Sequence, residues 1–82
     1  MTLTLLGKPD CGLCHEMEEV VRRVIGDRVA LRSADVRTDP EWMRRYRYEI
    51  PVLLWDGQEI ARHRITDDEL RERLAALGVL AS

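Results

Sequence analysis

Cys11-Gly12-Leu13-Cys14 follows the apolar run Leu3-Thr4-Leu5-Leu6 and opens a helical pattern. Two thiols three residues apart on the first turn of a helix are spaced to exchange a disulfide. The first lies where unpaired backbone N–H groups and the helix dipole favour negative charge, which brings its thiolate, the reactive form, within reach of neutral pH. The second is positioned to attack any mixed disulfide formed on the first. No other cysteine occurs in the 82 residues, so a scaffold stapled by several bridges is excluded and a redox or a metal use must be weighed.

Half of a zinc site and a pair of inert thiols are the alternatives, but the chain has no second Cys pair, and the strand-to-helix setting suits redox work. Cys11 to His15 also spells C-x-x-C-H, the covalent haem attachment pattern, with Met43 as an axial ligand. That attachment needs an export route, for which the chain shows no signal. His15 lies one helical turn after Cys11, where its protonated form would add to thiolate stabilisation. Lys8 contributes positive potential near Cys11, and Asp10 opposes it. Trp42 and Tyr46, at helical spacing, read as core, and His63 as exposed. Arg44, Arg45 and Arg47, like Arg62 and Arg64, read as a solvated face that would steer an acidic partner. No Ser-His-Asp set, phosphate loop or paired-carboxylate constellation stands out.

The elements that must position the cysteines follow from local pattern. Thr2 to Leu6 reads as a buried first strand, closed by turn chemistry at Gly7-Lys8-Pro9-Asp10. Cys14, Met17, Val21, Val24 and Ile25 recur at helical spacing, with Glu18–Arg22 and Glu19–Arg23 as i,i+4 pairs outside and Gly26 as the stop. Val29, Leu31, Ala34 and Val36 give a second strand that loses phase at Arg32-Ser33. Asp39-Pro40 starts a short helix that packs Trp42 and Tyr46 inward, and Pro51 blocks its continuation. Val52–Trp55 and Gln58–Arg62 flank Asp56-Gly57, a two-residue loop able to adopt the positive φ angles of a type I′ hairpin turn. Thr66-Asp67-Asp68-Glu69 is a capping box for a last helix with Leu70, Leu74 and Leu77 as its apolar stripe, ending at Gly78.

The order β-α-β-α-β-β-α, with the first two strands parallel and the hairpin antiparallel, predicts a mixed four-stranded sheet flanked by helices on both faces. This is the α/β thioredoxin-like arrangement, with the Cys pair at the carboxyl end of the first strand. The chain resembles the glutaredoxins, and more closely the small glutaredoxin-like branch of the thioredoxin superfamily. The likeness rests on Gly7-Lys8-Pro9-Asp10-Cys11-Gly12-Leu13-Cys14, Ala34-Asp35-Val36 with Asp39-Pro40-Glu41, Tyr46 with Ile50-Pro51-Val52-Leu53, and Asp56-Gly57. It implies thiol–disulfide exchange with Cys11 as nucleophile and Cys14 as resolving thiol. It also implies a cis Ile50–Pro51 peptide that faces the cysteines and offers backbone groups to a substrate. Glutaredoxins that bind glutathione usually carry Thr-Val before that proline and Gly-Gly before the last helix, where this chain has Glu49-Ile50 and Arg62-His63-Arg64-Ile65. Lys8 and the amide-rich start of the last helix at Thr66-Asp67 remain as places for a substrate carboxylate, with Glu49 repelling it.

Bulk composition sets the outer limits. A chain of 82 residues without Phe has room for one small domain built on Leu, Ile, Val and Ala, with no cavity to spare for a bound cofactor. A formal charge of −2 with both signs interspersed points to neither nucleic acid nor an anionic membrane. A cytoplasmic monomer is expected, acting on a disulfide-containing protein or a low-molecular-weight thiol, with glutathione as candidate reductant. Two other classes compete: a non-catalytic thioredoxin-fold module that binds a protein or peptide beside Pro51, and a metal carrier using the thiol pair. An ordinary Cys11 pKa near the free-thiol value of roughly 8.5 would mark the first, and bound zinc or copper the second.

Overall fold

The computed structural model describes residues 2–81. Four strands, β1 (Thr2–Gly7), β2 (Ala30–Asp35), β3 (Val52–Trp55) and β4 (Gln58–Arg62), form one sheet in the order β2-β1-β3-β4. β1 and β2 are parallel, and β3 is antiparallel to both β1 and β4. The helices are α1 (Gly12–Ile25), α2 (Pro40–Tyr46) and α3 (Asp67–Ala76), with a single 3-10 turn at Val36–Thr38. This is the thioredoxin-like arrangement expected from the pattern.

Alternation along the strands divides the core between two faces. Leu3 and Leu5 of β1 and Leu53 of β3 meet Met17, Val21, Val24 and Ile25 of α1 and Leu70 and Leu74 of α3. On the other face Leu6, Val52 and Leu54 pack with Val36 and Tyr46, and Trp42, Met43 and Ile50 lie against them. A bulge in the β3–β4 ladder follows Leu53↔Ala61 and precedes Leu54↔Glu59, and it sends both Ile60 and Ala61 into the α1–α3 cluster. The hairpin turn has φ of 50° at Asp56 and 79° at Gly57, both positive as that turn requires.

α1 stops where Gly26 takes φ of 55° and donates its N–H to the Arg22 carbonyl. Glu18 and Arg22 pair along it as expected. Arg23 does not pair with Glu19; its guanidinium reaches across to Asp67 with two bonds of 2.8 and 3.0 Å, a bidentate match that ties α1 to the start of α3. Asp39 caps α2 through the Glu41 and Trp42 amides, and Thr66 with Glu69 closes the reciprocal capping box of α3.

Two expectations are corrected. Leu77 is not part of the buried stripe: α3 ends at Ala76, Leu77 is 39% exposed, and the chain turns at Gly78 so that Val79 and Leu80 pack back on the core in its place. Gly7 belongs to the strand, opposite Asp35, not to the following turn.

Candidate active site

The pairings Gly7↔Asp35, Leu6↔Val52 and Val52↔Arg62 bring the ends of β1, β2 and β4 and the start of β3 to one end of the sheet. The segments leaving or entering there are Lys8–Cys11, Tyr48–Pro51 and His63–Ile65. Cys11 occupies the N-cap position of α1, where its Sγ accepts the Cys14 N–H at 3.1 Å. Cys11 and Cys14 are joined as a disulfide with Cα atoms 5.2 Å apart, inside the usual span for such a bridge. Cys11 is partly exposed and Cys14 is buried. The first turn of α1 contains no acidic side chain to oppose negative charge on the cap sulfur.

The turn ahead of the pair is braced from within. The Cys11 N–H donates to the Lys8 carbonyl, and the His15 N–H to the Cys11 carbonyl. The His15 ring donates from Nε2 to the Pro9 carbonyl at 2.9 Å, so the histidine braces this turn. Behind the pair, a Cβ placed on Gly7 would lie 2.9 Å from Cys14 Sγ. Only a residue without a side chain lets β1 come that close to the buried sulfur. Lys8 is half-buried and lines a cavity of about 220 Å³ with Gly7, Cys14, Ala34 and Asp35. Asp35 is held well below the ordinary carboxylate range, at about 2, by hydrogen bonds from the Arg37 side chain and backbone N–H, with Lys8 adding to the effect.

The Ile50–Pro51 peptide is cis, and Pro51 is buried. Its carbonyl accepts the His63 N–H at 2.8 Å. No hydrogen bond among the described residues uses the Ile50 N–H or carbonyl. Glu49 is not the bare repulsive charge expected, because Arg62 and His63 each approach its carboxylate to 2.9 Å. His63 takes φ of 65°, the conformation a glycine would adopt most easily, and Arg64 reaches over α1 to within 4.0 Å of Glu16.

Thr66 and Asp67 lie at the start of α3 with their side chains already engaged. The Thr66 N–H donates to Glu69, the Glu69 N–H to the Thr66 hydroxyl, and the Asp67 carboxylate holds Arg23. That pairing draws Asp67 below the ordinary carboxylate range. Three acidic residues in this first turn leave little attraction for a further carboxylate. Met43 packs under the sheet, and among the described residues no three or more His, Cys, Asp or Glu side chains converge as a metal would need. Nothing in the sequence marks Gly7 as the seat of Cys14, a through-space relation, or Tyr48 as a prominent side chain, 80% exposed three residues before Pro51.

Residues 2–75 match the glutaredoxin-like domain family (DUF836). The chain belongs to that family. Among solved structures, this glutaredoxin-like protein is similar to the structural-genomics target protein XcR50 from X. campestris, with 28% identity, a TM-score of 0.77, and coverage of 90% of this chain and 96% of that one. It is also similar to a point mutant of the thioredoxin-like protein BC3987, with 26% identity, a TM-score of 0.61 and coverage of 88% and 97%. Thioredoxin 1 from Thermosipho africanus TCF52B shares the fold at 16% identity, with a TM-score of 0.65 and coverage of 94% and 93%. Family, fold and the bonded cysteine pair together support a redox-type function for the glutaredoxin-like protein. No helix among the described residues is long and apolar enough to cross a membrane.

Proposed function

We propose that the protein is a thiol–disulfide oxidoreductase with Cys11 as nucleophile and Cys14 as resolving thiol. The observation that carries this reading is the unequal placement of the two sulfurs. Cys11 caps the helix at a partly open surface with the Cys14 N–H on its sulfur, whereas Cys14 lies buried directly behind it. The amide and the helix N-terminus stabilise a Cys11 thiolate.

That thiolate attacks one sulfur of a substrate disulfide, forming a mixed disulfide and releasing the other substrate sulfur as a thiolate, which takes a proton from water. The Cys14 thiolate then attacks the Cys11 sulfur, freeing the second substrate thiol and leaving the Cys11–Cys14 disulfide. Two electrons have passed to the substrate. An external thiol, with glutathione as candidate, returns the protein to the dithiol form. The unpaired N–H and carbonyl of Ile50 beside Pro51 would hold the substrate chain, and Lys8 adds positive potential. The Thr66 hydroxyl and the Asp67 carboxylate serve by capping α3 and holding it to α1.

Reduction of a peptide disulfide by the reduced protein tests this. Cys11→Ser should lose at least about 100-fold in rate, a loss of the scale that follows removal of a nucleophile. Cys14→Ser should accumulate a mixed disulfide on Cys11, visible by mass spectrometry. Full activity in both variants would end the proposal.

A further inference from the structure

The geometry points to an acidic, disulfide-bearing protein segment as the partner, docked on a cationic shelf formed by Arg45, Arg47 and Tyr48 beside the cis proline. This rests on the oxidoreductase reading above and names the class of substrate it serves.

Along the chain the shelf leads up to the cis proline. Tyr48 stands three residues before Pro51, and Pro51 enters β3 at the end of the sheet where β1 hands over to Cys11. Tyr48 is 80% exposed, the most exposed large apolar side chain among the described residues. The Arg47 guanidinium lies 4.6 Å from the centre of its ring, and Arg45 lies 5.2 Å from the ring of Tyr46. Arg44, Arg45, Arg47, Tyr48 and Glu49 line a groove of about 420 Å³.

Charge in that groove is out of balance. Arg44 is paired with Glu41, and Glu49 is matched by Arg62 and His63. Arg45 and Arg47 have no carboxylate within ion-pair distance among the described residues. Glu59, the acid that feels Arg45 at longer range, is itself bound to Arg62. Favourable interaction with the last carbonyls of α2 accounts for cations at Arg44 and Arg45. Arg47, the C-cap residue of that helix, shares this interaction, but its stacking on a tyrosine that faces water does not follow from it. Arg and Tyr are the residue types enriched where proteins dock, and uncompensated guanidinium groups on a chain of net charge −2 select a partner bearing carboxylates. A polypeptide fits better than a small thiol because the groove precedes, and does not contain, the reacting sulfurs.

The test uses the reduced Cys14→Ser protein and three disulfide-linked peptides of equal length, with Asp-rich, Ser-rich and Lys-rich flanks. The rate of mixed-disulfide formation is divided by that of each peptide with 2-mercaptoethanol, which removes intrinsic differences in the disulfides. The acidic peptide should exceed the basic one by about tenfold or more at low salt, the lower end of electrostatic steering. The ratio should shrink to within about twofold at 1 M salt, where the Debye length is about 3 Å. Arg47→Glu and Arg45→Glu should each reduce the ratio several-fold, whereas Arg22→Glu on the far half of α1 should leave it in place. A ratio near one, a preference for the basic peptide, or a ratio indifferent to both shelf variants would overturn the proposal. So would tight binding of an oligouridine without any peptide preference, which would assign the shelf to nucleic acid. Failure of the oxidoreductase reading shows separately, as a Ser-rich peptide that reacts no faster with Cys11 than with 2-mercaptoethanol.

Discussion

Replacing Gly7 by alanine puts the contact between β1 and the resolving sulfur to a direct test. The new Cβ would stand 2.9 Å from Cys14 Sγ and 3.0 Å from Cys14 Cβ. Carbon atoms pack at about 3.5–4.0 Å, so roughly 0.5 Å or more must be found somewhere. Neither side gives easily. Cys14 is buried and bonded to Cys11, and β1 is fixed between β2 and β3 by ladders on both edges. Inserting a methyl into such a place costs about 1–3 kcal/mol, and each kcal/mol lowers the melting temperature of a domain this size by about 4–8 °C. Gly12→Ala, one residue beyond the nucleophile, is the natural control: it is the first residue of α1, nothing lies within 4 Å of its added methyl, and stability should stay within about 0.5 kcal/mol of the parent. Urea unfolding of the oxidised proteins measures both, and the rate at which Cys14 resolves a mixed disulfide should also fall in Gly7→Ala. A Gly7→Ala protein within about 0.3 kcal/mol of the parent, resolving at the parental rate, would rule out a tight contact between β1 and Cys14.

Other consequences follow from the caps and the paired carboxylates. Thr66→Ala removes the hydroxyl that accepts the Glu69 N–H and breaks the capping box, and should lower stability by about 1 kcal/mol in urea unfolding. Asp35 titrates at about 2 in the folded protein against an ordinary 3.8, so its contribution is complete above about pH 4 and is lost as pH falls toward 2. Asp67, Glu59 and Glu69 are shifted the same way. Stability should therefore decline with acid across that window, and Asp35→Asn should flatten the decline; an unchanged slope in Asp35→Asn would contradict the assignment.

Most of the architecture was legible because it is written locally. The Asp56-Gly57 turn, the Asp39-Pro40 helix start and the Thr66–Glu69 box each depend on neighbours within a few residues, and each is present. β2 lost its phase in the sequence for a reason the sheet explains. It is an edge strand, and Ala30, Arg32 and Ser33 are all exposed, so no strict alternation is enforced on it. Leu77 misled because periodicity does not reveal that Val79 and Leu80 fold back to cover the same core. At the site, the cysteines were plain from spacing. What remained hidden were relations between distant segments: Gly7 against Cys14, Arg23 with Asp67, Glu49 held by Arg62 and His63, and Tyr48 standing open beside the proline.

In the proposed mechanism Cys11 is the ready thiolate and Cys14 its shielded partner. Alkylation of the reduced protein by iodoacetamide across pH 4 to 10, with the modified residue identified by mass spectrometry, measures this most directly. Cys11 should react first, with a midpoint clearly below the free-thiol value of about 8.5. A midpoint at or above that value, or earlier modification of Cys14, would contradict it.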